Sequence, residues 1–139
     1  MRVGVSGSRH GFTGKQSKVF IDMACEHVME EFHYGDCQGV DTEALWLLVE
    51  CGGGGVLHSH PATMNPDWDA LWVAHTASLY PELGIVEHQA KHPLARNRDI
   101  VAAIDELWAF PENDSGRGGT WYTINRALKS GIATVVILP

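Results

Sequence analysis

Short apolar runs of strand character alternate with longer segments of helical period along the whole chain, and turns rich in glycine separate many of them. Residues 2–6 place Val3 and Val5 on one face of a short strand, and the turn-forming "GSRHGFTG" follows. From Lys15 to Glu31 the pairs Val19/Phe20, Met23/Ala24 and His27/Val28 recur at a helical interval. A brief strand at 32–34 leads into "GDCQGVD". The next helix points Ala44, Leu45, Leu47, Leu48 and Cys51 inward and stops at the glycines of 52–55, which tolerate the left-handed conformation that ends helices. "VLHSH" at 56–60 reads as a third strand. Residues 61–92 form a long excursion with a short helix expected within 67–80. A helical pattern from Arg96, a strand at 106–111, a helix at 120–130 and a final strand from Ala133 complete the chain. Parallel strands need crossover connections, and those leave helices on the sheet faces. The expectation is a three-layer α/β domain, Rossmann-like, with a mainly parallel five-stranded sheet and helices on both faces, spanning residues 1–139 as one unit.

Composition narrows the function classes. The formal net charge is -7, which weighs against a broad electrostatic grip on nucleic acid, because that grip needs clustered Lys and Arg to displace counterions from phosphates. No apolar run approaches the roughly 18 residues of a membrane span, and the N-terminal residues have no signal-peptide pattern. The expected setting is cytoplasmic, with no membrane partner. Cys25, Cys37 and Cys51 are irregularly spaced and form no CxxC pair, so they are expected to be reduced.

In an open parallel sheet, ligands sit beyond the carboxyl ends of the strands. The loops there are "SGSRHG", "GDCQGVD", "SHPA" and "PENDSGRGGT". Glycine turns that open helices let backbone N–H groups approach an anion, aided by the positive end of the helix dipole. Neither the spaced dinucleotide fingerprint nor the P-loop lysine is present. Arg9, Arg96, Arg98 and Arg117 stand beside these loops and favour anion recognition. Asp41 reads as a helix cap before it reads as a catalyst. Cys37 reads as a packing residue, because no histidine neighbours it in sequence to activate the thiol. His58 and His60 alternate on a strand and share a face, which permits metal ligation if a third ligand such as Asp67 or Asp69 joins them; no metal is the leading expectation. Trp121, in the first turn after the glycines, is placed to stack on a flat ligand.

Taken together, "VGVSGSR", "YGDCQGVD", "RNRDIV" and "GRGGTWYTINRALKSGIATVVI" resemble the SLOG superfamily of Rossmann-like proteins, nearest its small YspA-like branch, which includes molybdenum-cofactor carriers. The superfamily also holds LOG-type phosphoribohydrolases, the DNA-processing protein DprA and nucleotide-signal sensors. The resemblance implies one ligand groove lined by Gly7, Ser8 and Arg9, by Gly35, Asp36, Gly39 and Asp41, by Arg96, Asn97 and Arg98, and by Gly118, Gly119 and Thr120. In the LOG motif PGGxGTxxE a glutamate closes the pattern; here that position is Thr123, which cannot act as a carboxylate base. The expected function is therefore binding, without turnover, of a phosphorylated or nucleotide-like small molecule, a molybdopterin-type cofactor included. The alternative is a nucleotide hydrolase that uses Asp36 or Asp41. Apolar residues of the excursion, Trp68, Leu71, Trp72 and Leu79, point to a homo-oligomer.

Overall fold

The computed structural model describes residues 1–63 and 72–139. In chain order the elements are β1 (Arg2–Gly7), α1 (Gly14–Glu26), β2 (Glu31–Tyr34), α2 (Val40–Glu50), β3 (Val56–Ser59), α3 (Thr76–Leu79), a 3₁₀ turn at Pro81–Leu83, β4 (Val86–Glu87), α4 (Pro93–Ala103), β5 (Glu106–Phe110), α5 (Gly119–Lys129) and β6 (Ala133–Val136). The strands form one sheet in the order β4-β3-β2-β1-β5-β6, and each neighbouring pair runs parallel.

Strand alternation divides the core between the two faces. Trp108 and Phe110 of β5 pack with Phe20 and Ala24 of α1 and with Ala44, Leu45 and Leu48 of α2. The intervening Leu107 and Ala109 face the other way, against Ile100, Val101 and Ile104 of the α4 segment and Ile124 and Ala127 of α5. This is the layered α/β architecture expected, with six strands in place of five. The strand missing from the sequence reading, β4, has two exposed residues and carries no buried face for a hydrophobic pattern to report.

Two other expectations need correction. The first helix ends at Glu26, not Glu31; His27 is extended, with its ring edge-on to Trp108, and Val28 is 90% exposed, so Val28 of the last pair has no core to meet. β2 begins at Glu31 instead, and just before it the Glu30 amide donates to the Met1 carbonyl at 2.9 Å. Within the excursion the described helix is only the single turn Thr76–Leu79; Asp67, Trp68, Asp69 and Leu71 lie outside the described residues.

The loops that follow β1 and β2 are held together by backbone. The Ser8 carbonyl accepts from the Val40 amide at 2.9 Å and from Gly11 at 3.3 Å. Gly39, at φ +92°, lies so close that a β-carbon there would sit 2.4 Å from the Ser8 oxygen. Only glycine satisfies both the left-handed backbone and the approach. Gln16, nearly fully buried, donates from Nε2 to the carbonyls of Pro111 and Ile137 and so ties the ends of β5 and β6 together. Gly39→Ala should destabilise the fold by about 2–3 kcal/mol, read as a lower urea midpoint with an unchanged slope. An unchanged midpoint would mean that this approach is not constrained.

Candidate functional site

The strand order reverses between β1 and β5, and the loops leaving those two strands diverge toward helices on opposite faces. A cavity of about 530 Å³ opens there, beyond the carboxyl ends of the strands. Its wall takes Gly7, Ser8 and Arg9 from the loop after β1, Gly35 and Asp41 from the loop after β2, Arg96 and Asn97 from α4, and Gly118, Gly119 and Thr120 from the start of α5. Four separate sequence motifs thus meet around one space.

The start of α5 is the part best suited to an anion. Gly118 caps the helix at φ +102° with no side-chain hydrogen bond, so the first-turn amides lack the acceptor that a Ser or Asp cap would supply. A β-carbon at Gly118 or Gly119 would meet nothing within 4 Å. Packing therefore does not demand glycine at Gly119; open approach to the backbone does explain it. The other long helix starts differ. Thr13 and Gln16 form a capping box on α1, the Val40 amide of α2 is taken by Ser8, and the α4 start is capped by His92 through Leu94.

Charge around the cavity is mixed. Arg9 is exposed, and its guanidinium lies 5.3 Å from the centre of the Trp72 ring. Arg96 is buried and spends much of its donor capacity on protein. Nη1 donates to the Gly35 carbonyl and, at 3.2 Å, to the His60 carbonyl, while Nε donates to Asn97 Oδ1 at 2.7 Å. Gly35 leaves the space in which Arg96 and Asp41 come together, since a β-carbon there would fall 2.7 Å from Arg96 Nη1 and 2.8 Å from Asp41 Oδ2. Asp41 does not cap α2. It sits in the first turn and accepts from the Cys37 amide at 3.3 Å. Burial pushes its carboxyl up to about 6, with the Arg96 charge as the chief opposing influence.

Three of the expected groove residues do not line the cavity. Asp36 is buried with φ +56°, and its Oδ1 accepts from the amide and hydroxyl of Thr76 at 3.1 and 2.7 Å, which ties it to α3. Arg98 is exposed and outside the cavity; two residues beyond Arg96 it is turned by about 200° around the helix. Gly39 serves the contact between loops described above. Thr123 lines the cavity but directs its hydroxyl to the Gly119 carbonyl at 3.0 Å. Burial raises the Cys37 thiol, despite Arg96 Nη1 at 3.6 Å, as suits a packing residue.

The sequence reading did not place Trp72 in the wall, nor His92, Pro93 and Leu94. Proline at the first position of α4, preceded by an extended residue, is a legible start signal three residues before Arg96. Trp72 had no local signal. The Gln38 amide donates to its carbonyl at 2.9 Å, and Val73 bridges Cys37, so a long-range contact brings it to the cavity. Trp121 lines the cavity as well, with its indole N–H donating to the Asn113 carbonyl at 2.9 Å.

No protein-family model matches this chain, and no curated protein matches it in sequence. Among solved structures it is similar to DNA processing protein A (DprA) from Streptococcus pneumoniae, with a TM-score of 0.63 and 20% identity, over 97% of this chain and 49% of that one. The chain thus spans about half the length of that relative. The likeness establishes a shared α/β fold.

In the unfolded chain an aspartate titrates near 4. Between about pH 4 and pH 6 the folded protein therefore holds a proton on Asp41 that the unfolded chain has lost. Stability falls as pH rises through that window, and the penalty is complete above it. Asp41→Asn should be more stable than the parent near pH 7.5, by up to about 3 kcal/mol, and equal to it near pH 3.5. Urea unfolding at the two pH values checks this; an offset independent of pH would contradict it.

Proposed function

We propose that this chain is a SLOG-type domain that binds a phosphorylated, nucleotide-like small molecule in the cavity between β1 and β5, without turning it over. The observation that carries the reading is the uncapped start of α5, where Gly118 and Gly119 leave open space over the first-turn amides. A phosphate seated there would accept from backbone N–H groups and gain from the helix dipole. Arg9 and Arg117 line the same cavity and add charge from side chains. Trp72 and Trp121 give the wall flat apolar surface suited to a base or a pterin ring. A molybdopterin-type cofactor, as held by carriers of the YspA-like branch, belongs to this ligand class.

A second reading, nucleotide hydrolysis, is favoured by one observation. Asp41 is a cavity carboxylate pushed up to about 6, where a group can both give and take a proton near neutral pH. Asp36 offers no such role, since it is turned toward Thr76. DNA handling, which the name of the structural relative suggests, has weaker support: the likeness is one of fold, it covers half of that protein, and the net charge is -7. Self-association also rests on little. Trp72 turns into the cavity wall, and of the excursion's described large apolar residues Leu79 and Val86 are exposed, at 62% and 41%.

Adenosine monophosphate is the probe we would titrate by calorimetry. Saturable binding is expected, with no free adenine released on prolonged incubation and chromatography. Gly119→Ala should leave the melting temperature unchanged and weaken binding by about tenfold to a hundredfold, the value of one charge-assisted hydrogen bond. Equal affinity in the variant would remove the helix start from the site. Free adenine whose release is abolished in Asp41→Asn would establish the second reading.

A further inference from the structure

On the α4 side of the sheet, β2 and β3 and the residues just beyond β3 and β4 carry imidazoles where an apolar layer would be expected. Phe32 and Tyr34 of β2 face the α1 and α2 core, so His33 between them faces the opposite side. His33 is in register with His58 of β3. His60 follows on the same face, and the His88 amide pairs with the Ser59 carbonyl at 2.9 Å, which carries His88 alongside. The His33 and His58 rings stack at 4.3 Å between centroids, and those of His60 and His88 at 4.2 Å. Nitrogens meet across the stacks, with His33 Nδ1 and His60 Nε2 2.9 Å apart and His58 Nδ1 and His88 Nε2 also 2.9 Å apart.

We propose that His33, His60 and His88 form a binding site for a divalent transition metal of the zinc type, with Glu31 and His58 positioning two of the ligands. One nitrogen from each of the three rings lies within 4.8 Å of the others. Bonds of about 2.0–2.1 Å to a tetrahedral ion bring ligand atoms to roughly 3.3 Å from one another, so a modest contraction closes the site. Glu31 Oε2 stands 2.8 Å from His33 Nε2. A proton shared there fixes the tautomer that leaves the Nδ1 lone pair facing His60, the carboxylate–histidine–metal arrangement. His58 stands to His88 in the same relation through their 2.9 Å contact. His88 is exposed, which leaves solvent a route to a fourth position, as in sites with three protein ligands.

An all-imidazole set suits Zn²⁺, Co²⁺, Ni²⁺ or Cu²⁺ and disfavours Mg²⁺ or Ca²⁺. None of the histidines concerned lines the cavity between β1 and β5, although the two sites adjoin, because the His60 carbonyl accepts from Arg96 Nη1 of the cavity wall at 3.2 Å. The sequence showed half of it, because His58 and His60 share a face as their alternation requires. Among the described residues their partners are His33 and His88; Asp67 and Asp69 lie outside the described residues.

The test is a titration of chelator-stripped full chain with Co²⁺, followed by visible absorption, and with Zn²⁺ in competition with a chromogenic chelator. The expected result is one ion per chain with a tetrahedral Co²⁺ spectrum. Since His88 is exposed, His88→Gln should fold with an unchanged melting temperature and bind at least about 100-fold more weakly, and Glu31→Gln about 10-fold to 100-fold more weakly. His10→Gln, at an exposed position outside the cluster, should bind as the parent does. Absence of saturable binding, or equal affinity in His88→Gln and the parent, would overturn the assignment.

Discussion

Reversal of strand order between β1 and β5 is the constraint on which the rest of the molecule depends. Right-handed crossovers send the chain from β1 to one face of the sheet and from β5 to the other. Neither loop can then cover the gap between the two strand ends, and the gap becomes a cavity. The same reversal sets which helix starts are available. The α1 and α2 starts are closed by local contacts, by a capping box in one and by the Ser8 carbonyl in the other. The α5 start is left open at Gly118.

Burial gives the cavity its chemical character. Arg96 and Asp41 are both taken out of water beside Gly35, and the protein compensates Arg96 with carbonyl acceptors from the ends of β2 and β3. A buried cation held in this way cannot leave, so its field is fixed in the cavity wall. Asp41 is compensated less completely, and its protonation is displaced toward neutrality. A ligand phosphate would meet Arg96 as a fixed charge and Asp41 as a group that can lose its repulsion by taking up a proton. On the proposed reading, that combination is what would let a chain of net charge -7 take an anion at one place.

Much of this was legible in the residues, and the failures have physical causes. Alternation of strand and helix, the parallel sheet and the loops that line the cavity follow from local pattern. The positions Gly118 to Thr120 could be read because a glycine turn opening a helix is a local signature. Asp36 and Arg98 were misplaced because motif membership does not fix side-chain direction. One is captured by Thr76, forty residues further on, and the other sits on the wrong side of a helical turn. Trp72 and the histidine cluster were illegible or half legible for a related reason. Both depend on which strands and loops become neighbours, which the register of the sheet decides for the histidines and the contact of the 72–73 segment with Cys37 and Gln38 decides for Trp72.

The central claim is that backbone amides at the start of α5 hold an oxyanion in this cleft. Amide proton and nitrogen shifts, followed by NMR as inorganic phosphate is added, test it most directly. The account predicts the largest saturable changes at Gly119, Thr120 and Trp121, with smaller ones at Ser8 and Arg9. Static signals at those positions, with changes confined to the surface or to the α1 and α2 starts, would contradict it.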